Sequence, residues 1–151
     1  MQDTVNINDR FIVAKFAPTS EQIESAARQG FRSIINFQTG EEVKVDHMTP
    51  DEEARVAGQA GLKYLHQPVD VASLSDELVD RFRSKAAELP TPVLAHCASG
   101  KRAAAMVMMH VACEEGLDGD TAIATAQDSG AEIGSSEIKH FAKDYINRRN
   151  A

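Results

Sequence analysis

Short apolar runs alternate with stretches whose apolar residues recur at helical spacing, from one end of the chain to the other. Phe11-Ile12-Val13-Ala14, the run Phe31 to Phe37 around Ile34 and Ile35, Leu62 to His66, and Val93-Leu94-Ala95 have the length and the bounding turn residues of strands. Between them lie helix starts with recognisable capping. Thr19 is followed three residues later by Gln22, and the helix it opens runs through Ala27 to a stop at Gly30. Thr49-Pro50-Asp51-Glu52 combines a capping threonine, a first-turn proline and a glutamate at the third position, predicting a helix to about Ala60 that stops at Gly61. Asp70 to Ser75 reads as a loop. Ser75 caps a predicted helix from Asp76 to Leu89, with Leu78, Val79, Phe82 and Ala86 on one face, and Pro90-Thr91-Pro92 ends it.

Three more helices are expected near 103–115, 120–129 and 136–148, with Gly116, Gly130 and Gly134 at the breaks. Strands separated by helices imply an α/β fold with a short, mostly parallel sheet flanked by helices on both faces. The sequence shows no repeat, low-complexity tract or linker, so residues 1–151 are expected to form a single domain.

The chemistry concentrates after the fourth strand. His96-Cys97-Ala98-Ser99-Gly100-Lys101-Arg102 forms a small-residue loop that opens on a cysteine, closes on an arginine and leads into a helix. Such a loop aims several backbone N–H groups at one point, where the helix dipole also favours negative charge. A cysteine on its rim is favoured as thiolate, and the planar guanidinium of Arg102 suits a tetrahedral oxyanion. In a parallel sheet, sites lie past the carboxyl ends of the strands, where Cys97 sits.

Charge narrows the partners. The formal net charge of −7 argues against nucleic acid and anionic membranes, whereas a local positive pocket at Lys101 and Arg102 would select small anions. Hydrophobic residues at 42% and charged residues at 26% are ordinary for a globular protein, and no apolar run reaches a membrane span. Met1-Gln2-Asp3-Thr4 lacks the blocks of a secretion signal, so the expected compartment is the cytoplasm. Two cysteines make no disulfide framework, and Cys113 is expected as a small core hydrophobe, with Met106, Met108 and Met109 filling the core beside it. His110 and Cys113 have no partner cluster at ligand spacing, so neither a metal nor any other cofactor is expected.

The loop His96-Cys97-…-Gly100-…-Arg102 resembles the phosphate-binding loop of protein tyrosine and dual-specificity phosphatases. Phe16-Ala17-Pro18-Thr19, the helix to Gly30, and Phe31-Arg32-Ser33-Ile34-Ile35-Asn36-Phe37 followed by Glu41-Glu42 are similar to the first third of small dual-specificity-like phosphatases. More narrowly, residues 8 to 115 resemble the bacterial beta-lactamase-hydrolase-like phosphatase family, whose loop reads His-Cys-x-Ser-Gly-x-Arg. The resemblance implies a dual-specificity-phosphatase-like three-layer fold and hydrolysis of phosphate monoesters, on a phosphorylated protein or a small phosphate ester, through a phosphocysteine.

By that likeness Cys97 is the nucleophile and Arg102 the oxyanion clamp. Ala98, Ser99, Gly100, Lys101 and Arg102 bind the phosphate, His96 supports the loop, and Asp70, 27 residues before Cys97, is the general acid, with Asp76 as fallback. Two departures stand out. Four residues separate Cys97 from Arg102, where common tyrosine phosphatases have five, and Ala103 stands where many have a serine or threonine. Two other functions stay open at this point. One is a rhodanese-like sulfurtransferase carrying a persulfide on Cys97, which also uses a six-residue cysteine loop. The other is a phospho-binding module without turnover.

Overall fold

The computed structural model describes residues 3–40 and 47–150; Glu41, Glu42 and most of the 39–48 loop lie outside the described residues. The strands are β1 (Thr4–Asn6), β2 (Phe11–Ala14), β3 (Ser33–Asn36), β4 (Lys63–His66) and β5 (Val93–His96). The helices are α1 (Ser20–Arg28), α2 (Pro50–Gln59), α3 (Asp76–Ala86), α4 (Lys101–Glu115), α5 (Gly119–Asp128) and α6 (Ser136–Arg149). The sheet order is β1-β2-β5-β3-β4. Four strands are parallel, and β1 alone pairs antiparallel, with Val5 opposite Val13. No described helix is long and apolar enough to cross a membrane.

Strand alternation splits the core into two layers. On one face of the sheet Phe11, Val13, Ile35, Val93 and Ala95 pack with Val79 and Phe82 of α3 and with α4, α5 and α6. On the other, Ile34, Leu94 and Ala14 pack with Ile23 and Ala26 of α1 and Ala57 of α2. The result is the expected three-layer α/β arrangement. β3 and β5 are buried on both faces, which is why Ile34-Ile35 and Val93-Leu94-Ala95 read as continuous apolar runs. α4 is buried from Ala103 to Ala112, and Met106, Met108 and Met109 fill the core there as expected. Cys113, on the same helix, is half-buried, and burial pushes its thiol up.

The capping chemistry appears as read. The Thr19 hydroxyl accepts from the Gln22 amide while the Gln22 side chain returns the bond, and Thr49 and Glu52 repeat the exchange. Each such cap contributes about 1 kcal/mol. The Ser75, Asp118 and Ser135 side chains cap α3, α5 and α6 by accepting from the Leu78, Thr121 and Ile138 amides, without a returned bond. The helix starting at α4 differs: its N-cap is Gly100, with no side chain to satisfy the first amides.

Three boundaries depart from the sequence reading. β1 was not expected, because its three residues carry one buried apolar side chain, Val5, and it exists through pairing with β2. α3 ends at Ala86 rather than Leu89, the last residues closing a turn in which the Leu89 amide donates to the Ala86 carbonyl. The 70–75 loop contains one 3-10 turn, Val71–Ser73.

Candidate active site

β5 sits between β2 and β3, and its last residue, His96, is level with Ala14 of β2 and Asn36 of β3. The chain leaves the sheet at this edge, so Cys97 emerges at the carboxyl end of a central strand. Cys97 is 1% exposed and its Sγ accepts a hydrogen bond from the Gly100 amide at 3.2 Å. Ala98 and Ser99 are exposed on the loop, and Lys101 is exposed at the start of α4. Gly100 carries φ +91°, and a Cβ there would lie 3.0 Å from the Lys15 Cα and 3.2 Å from the Ala14 carbonyl oxygen. Glycine is therefore required twice, once by the left-handed backbone and once by the close approach of β2's end.

Arg102, in the first turn of α4, donates from Nη1 to the Val69 carbonyl at 2.9 Å. That bond draws the segment carrying Asp70 to the rim of the cysteine loop. Asp70 itself is exposed, and its Oδ1 accepts from the Ala72 amide at 3.1 Å, which caps the 3-10 turn. Asp76 is engaged elsewhere. It starts α3 and pairs with Arg148 at 2.7 Å and Arg149 at 3.7 Å on α6. Cys97, Gly100 and Arg102, neighbours in one short stretch of sequence, thus meet the distant Asp70 segment. A buried sulfur facing a backbone amide, beside uncapped helix amides and a guanidinium, is an arrangement able to hold an oxyanion against a nucleophile.

His96 lies on the opposite face of β5 from Ala95, as alternation requires, and is fully buried against α2. Its Nε2 lies 2.7 Å from Oε2 of Glu53, a carboxylate only 2% exposed, and its Nδ1 lies 3.4 Å from the Cys97 carbonyl oxygen. The Tyr64 hydroxyl of β4 joins Glu53 and accepts from the Asn36 amide nitrogen at 3.1 Å. Burial first, and then the Glu53 carboxylate, push the Tyr64 hydroxyl far above its ordinary value. The sequence reading missed Glu53, Tyr64 and Asn36. One signal was available: Glu53 is one helical turn before Ala57, on the face α2 buries. Among the described residues, no group of three or more His, Cys, Asp or Glu side chains could hold a metal ion.

Comparisons with known proteins bear on the family and the fold. The chain is 34% identical over 142 residues to a beta-lactamase hydrolase-like protein of Agrobacterium fabrum, which covers 93% of this chain and 28% of that protein. It is 35% identical over 116 residues to the beta-lactamase hydrolase-like protein of Xylella fastidiosa, covering 76% of this chain and 25% of that one. The chain therefore spans about a quarter of the length of these curated relatives. A crystal structure from Neisseria meningitidis shares the fold with a TM-score of 0.78 at 22% identity, over 96% of this chain and 99% of that one. The family model described as beta-lactamase hydrolase-like protein, phosphatase-like domain, matches residues 5–114, and it is to this family that the chain belongs.

Proposed function

We propose that the chain is a cysteine-dependent phosphatase that hydrolyses phosphate monoesters through a phosphocysteine. The observation that carries this reading is the Gly100 amide pointing at the Cys97 sulfur at 3.2 Å, at the one described α-helix start that lacks a side-chain cap. Cys97 attacks as thiolate. The sulfur–phosphorus bond forms as the bond from phosphorus to the ester oxygen breaks, and the Asp70 carboxyl gives its proton to the departing oxygen. Arg102, the Gly100 and Lys101 amides and the neighbouring loop bind the three equatorial oxygens, on which charge builds in the transition state. Ala98 and Ser99 form the exposed rim, where Lys101 adds positive charge for an approaching anion. Water then attacks phosphorus, returns its proton to Asp70 and frees the thiolate with inorganic phosphate.

The second step is expected to be the slower one. Ala103 is fully buried and offers no hydroxyl to the departing sulfur, and the four-residue spacing leaves fewer amides around the anion. Nitrophenyl phosphate hydrolysis tests the reading. The expected result is a burst of nitrophenolate near one equivalent, followed by slow turnover, with both lost in Cys97→Ser. Transfer of sulfur from thiosulfate to cyanide without any nitrophenolate release would overturn it in favour of persulfide chemistry. Phosphate binding without a burst would leave a phospho-binding module.

A further inference from the structure

The buried carboxylate of Glu53 lies outside the chemistry described above, and among the described residues it meets His96 and Tyr64. A carboxylate with 2% exposure on a helix face otherwise occupied by Ala57 is costly unless paired. Here it is paired to the one ring that also touches the nucleophile's own backbone. His96 offers Nε2 to Glu53 and Nδ1 to the Cys97 carbonyl. The Cys97 carbonyl oxygen can only accept, so Nδ1 is the nitrogen that donates to it while Nε2 meets the Glu53 carboxyl. The consequence falls on Cys97. Its carbonyl oxygen lies 3.4 Å from the His96 ring, while the Gly100 amide faces Sγ.

We propose that Glu53 is a positioning residue that acts through His96 to turn the Cys97 carbonyl away from the sulfur, so that only donors face the nucleophile. Tyr64, hydrogen-bonded to Glu53 and held by Asn36, fixes the carboxylate in turn. The groups facing the His96 ring are Glu53 from α2 and Cys97 from the loop. Tyr64 from β4 and Asp51 from α2 act one step further out, Asp51 through its charge on Tyr64. The register partners Ala14 and Asn36 on the flanking strands bring no charge. The inference rests on the phosphatase reading for its kinetic consequence alone, because thiol reactivity reports the same geometry without any substrate.

The test compares Glu53→Met, which keeps the volume and loses the hydrogen bond, with Glu53→Gln, whose amide can still donate to a bare Nε2 while Nδ1 keeps its proton. Iodoacetamide alkylation of Cys97 is followed by mass spectrometry, which counts Cys113 separately. In Glu53→Met the rate near about pH 6 is expected to fall roughly tenfold, with little change near about pH 10, where any thiol is ionised. Glu53→Gln should stay within about threefold of the parent, and nitrophenyl phosphate turnover should follow the same order. In a His96→Asn background, Glu53→Met should add nothing further. Equal rates for the Met and Gln variants, or an undiminished Met effect without His96, would overturn the proposal. If Glu53→Met does not fold, Tyr64→Phe decides: a several-fold slowing near about pH 6 supports the relay, and an unchanged rate refutes it. Absence of turnover in the parent with the alkylation order intact would remove the phosphatase reading and leave Glu53's role standing.

Discussion

Replacing Gly100 by alanine perturbs the backbone on which the cysteine loop closes, and its cost can be worked from the geometry. At φ +91° an L residue sits in the left-handed region, a strain of about 1–2 kcal/mol. The new Cβ would also meet the Lys15 Cα at 3.0 Å and the Ala14 carbonyl oxygen at 3.2 Å. Both are backbone atoms that cannot rotate aside, so crowding adds about 1 kcal/mol. Alanine returns about 0.4–1 kcal/mol by narrowing the unfolded ensemble. The net loss is about 2 kcal/mol, a fall in Tm of about 4–8 °C for a domain of this size. Gly116, at the other end of α4, is the control. Its φ is +73° with nothing within 4 Å of an added Cβ, so Gly116→Ala carries strain without crowding and should lose about 1 kcal/mol or less. Urea denaturation of both variants measures the difference. Cys97 alkylation should slow in Gly100→Ala alone, because that residue's amide faces the sulfur. Equal stability losses in the two variants, with parent-like Cys97 reactivity in both, would refute the reasoning.

Gly119→Ala should destabilise without touching the cysteine loop: its Cβ would fall 2.8 Å from the Lys143 carbonyl oxygen and 2.9 Å from its Cα, forcing α5 from α6. Thermal unfolding should show a loss of about 1–3 kcal/mol while Cys97 alkylation stays at the parent rate. Asp70→Asn should slow the first, phosphocysteine-forming step by about 10²–10⁴-fold with alkyl phosphates but barely affect the nitrophenolate burst, whose leaving group needs no proton; equal slowing of that step with both substrates would exclude Asp70 as the acid. The Asp80 carboxyl is held down to about 2, first by its hydrogen bond from Arg149 and then by that from Tyr145. A lowered carboxyl stabilises the fold above its unfolded value and loses that contribution as pH falls, here between about pH 4 and about pH 2. With 44% of the side chain exposed, screening keeps the effect below about 1 kcal/mol, and Asp80→Asn should flatten that part of the acid unfolding curve.

Most elements were legible because local chemistry marks them. Thr19 with Gln22 and Thr49 with Glu52 form the reciprocal caps their spacing announces, and β2, β3 and β5 occupy the apolar runs. β1 escaped because a three-residue strand with one apolar position has no period; only pairing with β2 creates it. The cysteine loop could be located for the same local reason, since Cys97, Gly100 and Arg102 fall within six residues between a strand and a helix. Its surroundings could not. Whether Asp70 or Asp76 approaches the loop depends on which chain segment Arg102 holds, and the bond to the Val69 carbonyl draws the Asp70 segment in while α6 takes Asp76.

The one-dimensional pattern therefore determined the layered α/β architecture, the helix starts and the place of the cysteine loop, because each follows from residues within a few positions of one another. Tertiary packing decided the partners. Glu53 lies 43 positions from His96 in sequence, yet the two side chains meet at 2.7 Å because the α1/α2 layer covers the face of β5 toward which His96 points. A contact between sites so far apart along the chain leaves no periodic trace, since it is set by how strands and helices stack and not by the propensities of either segment.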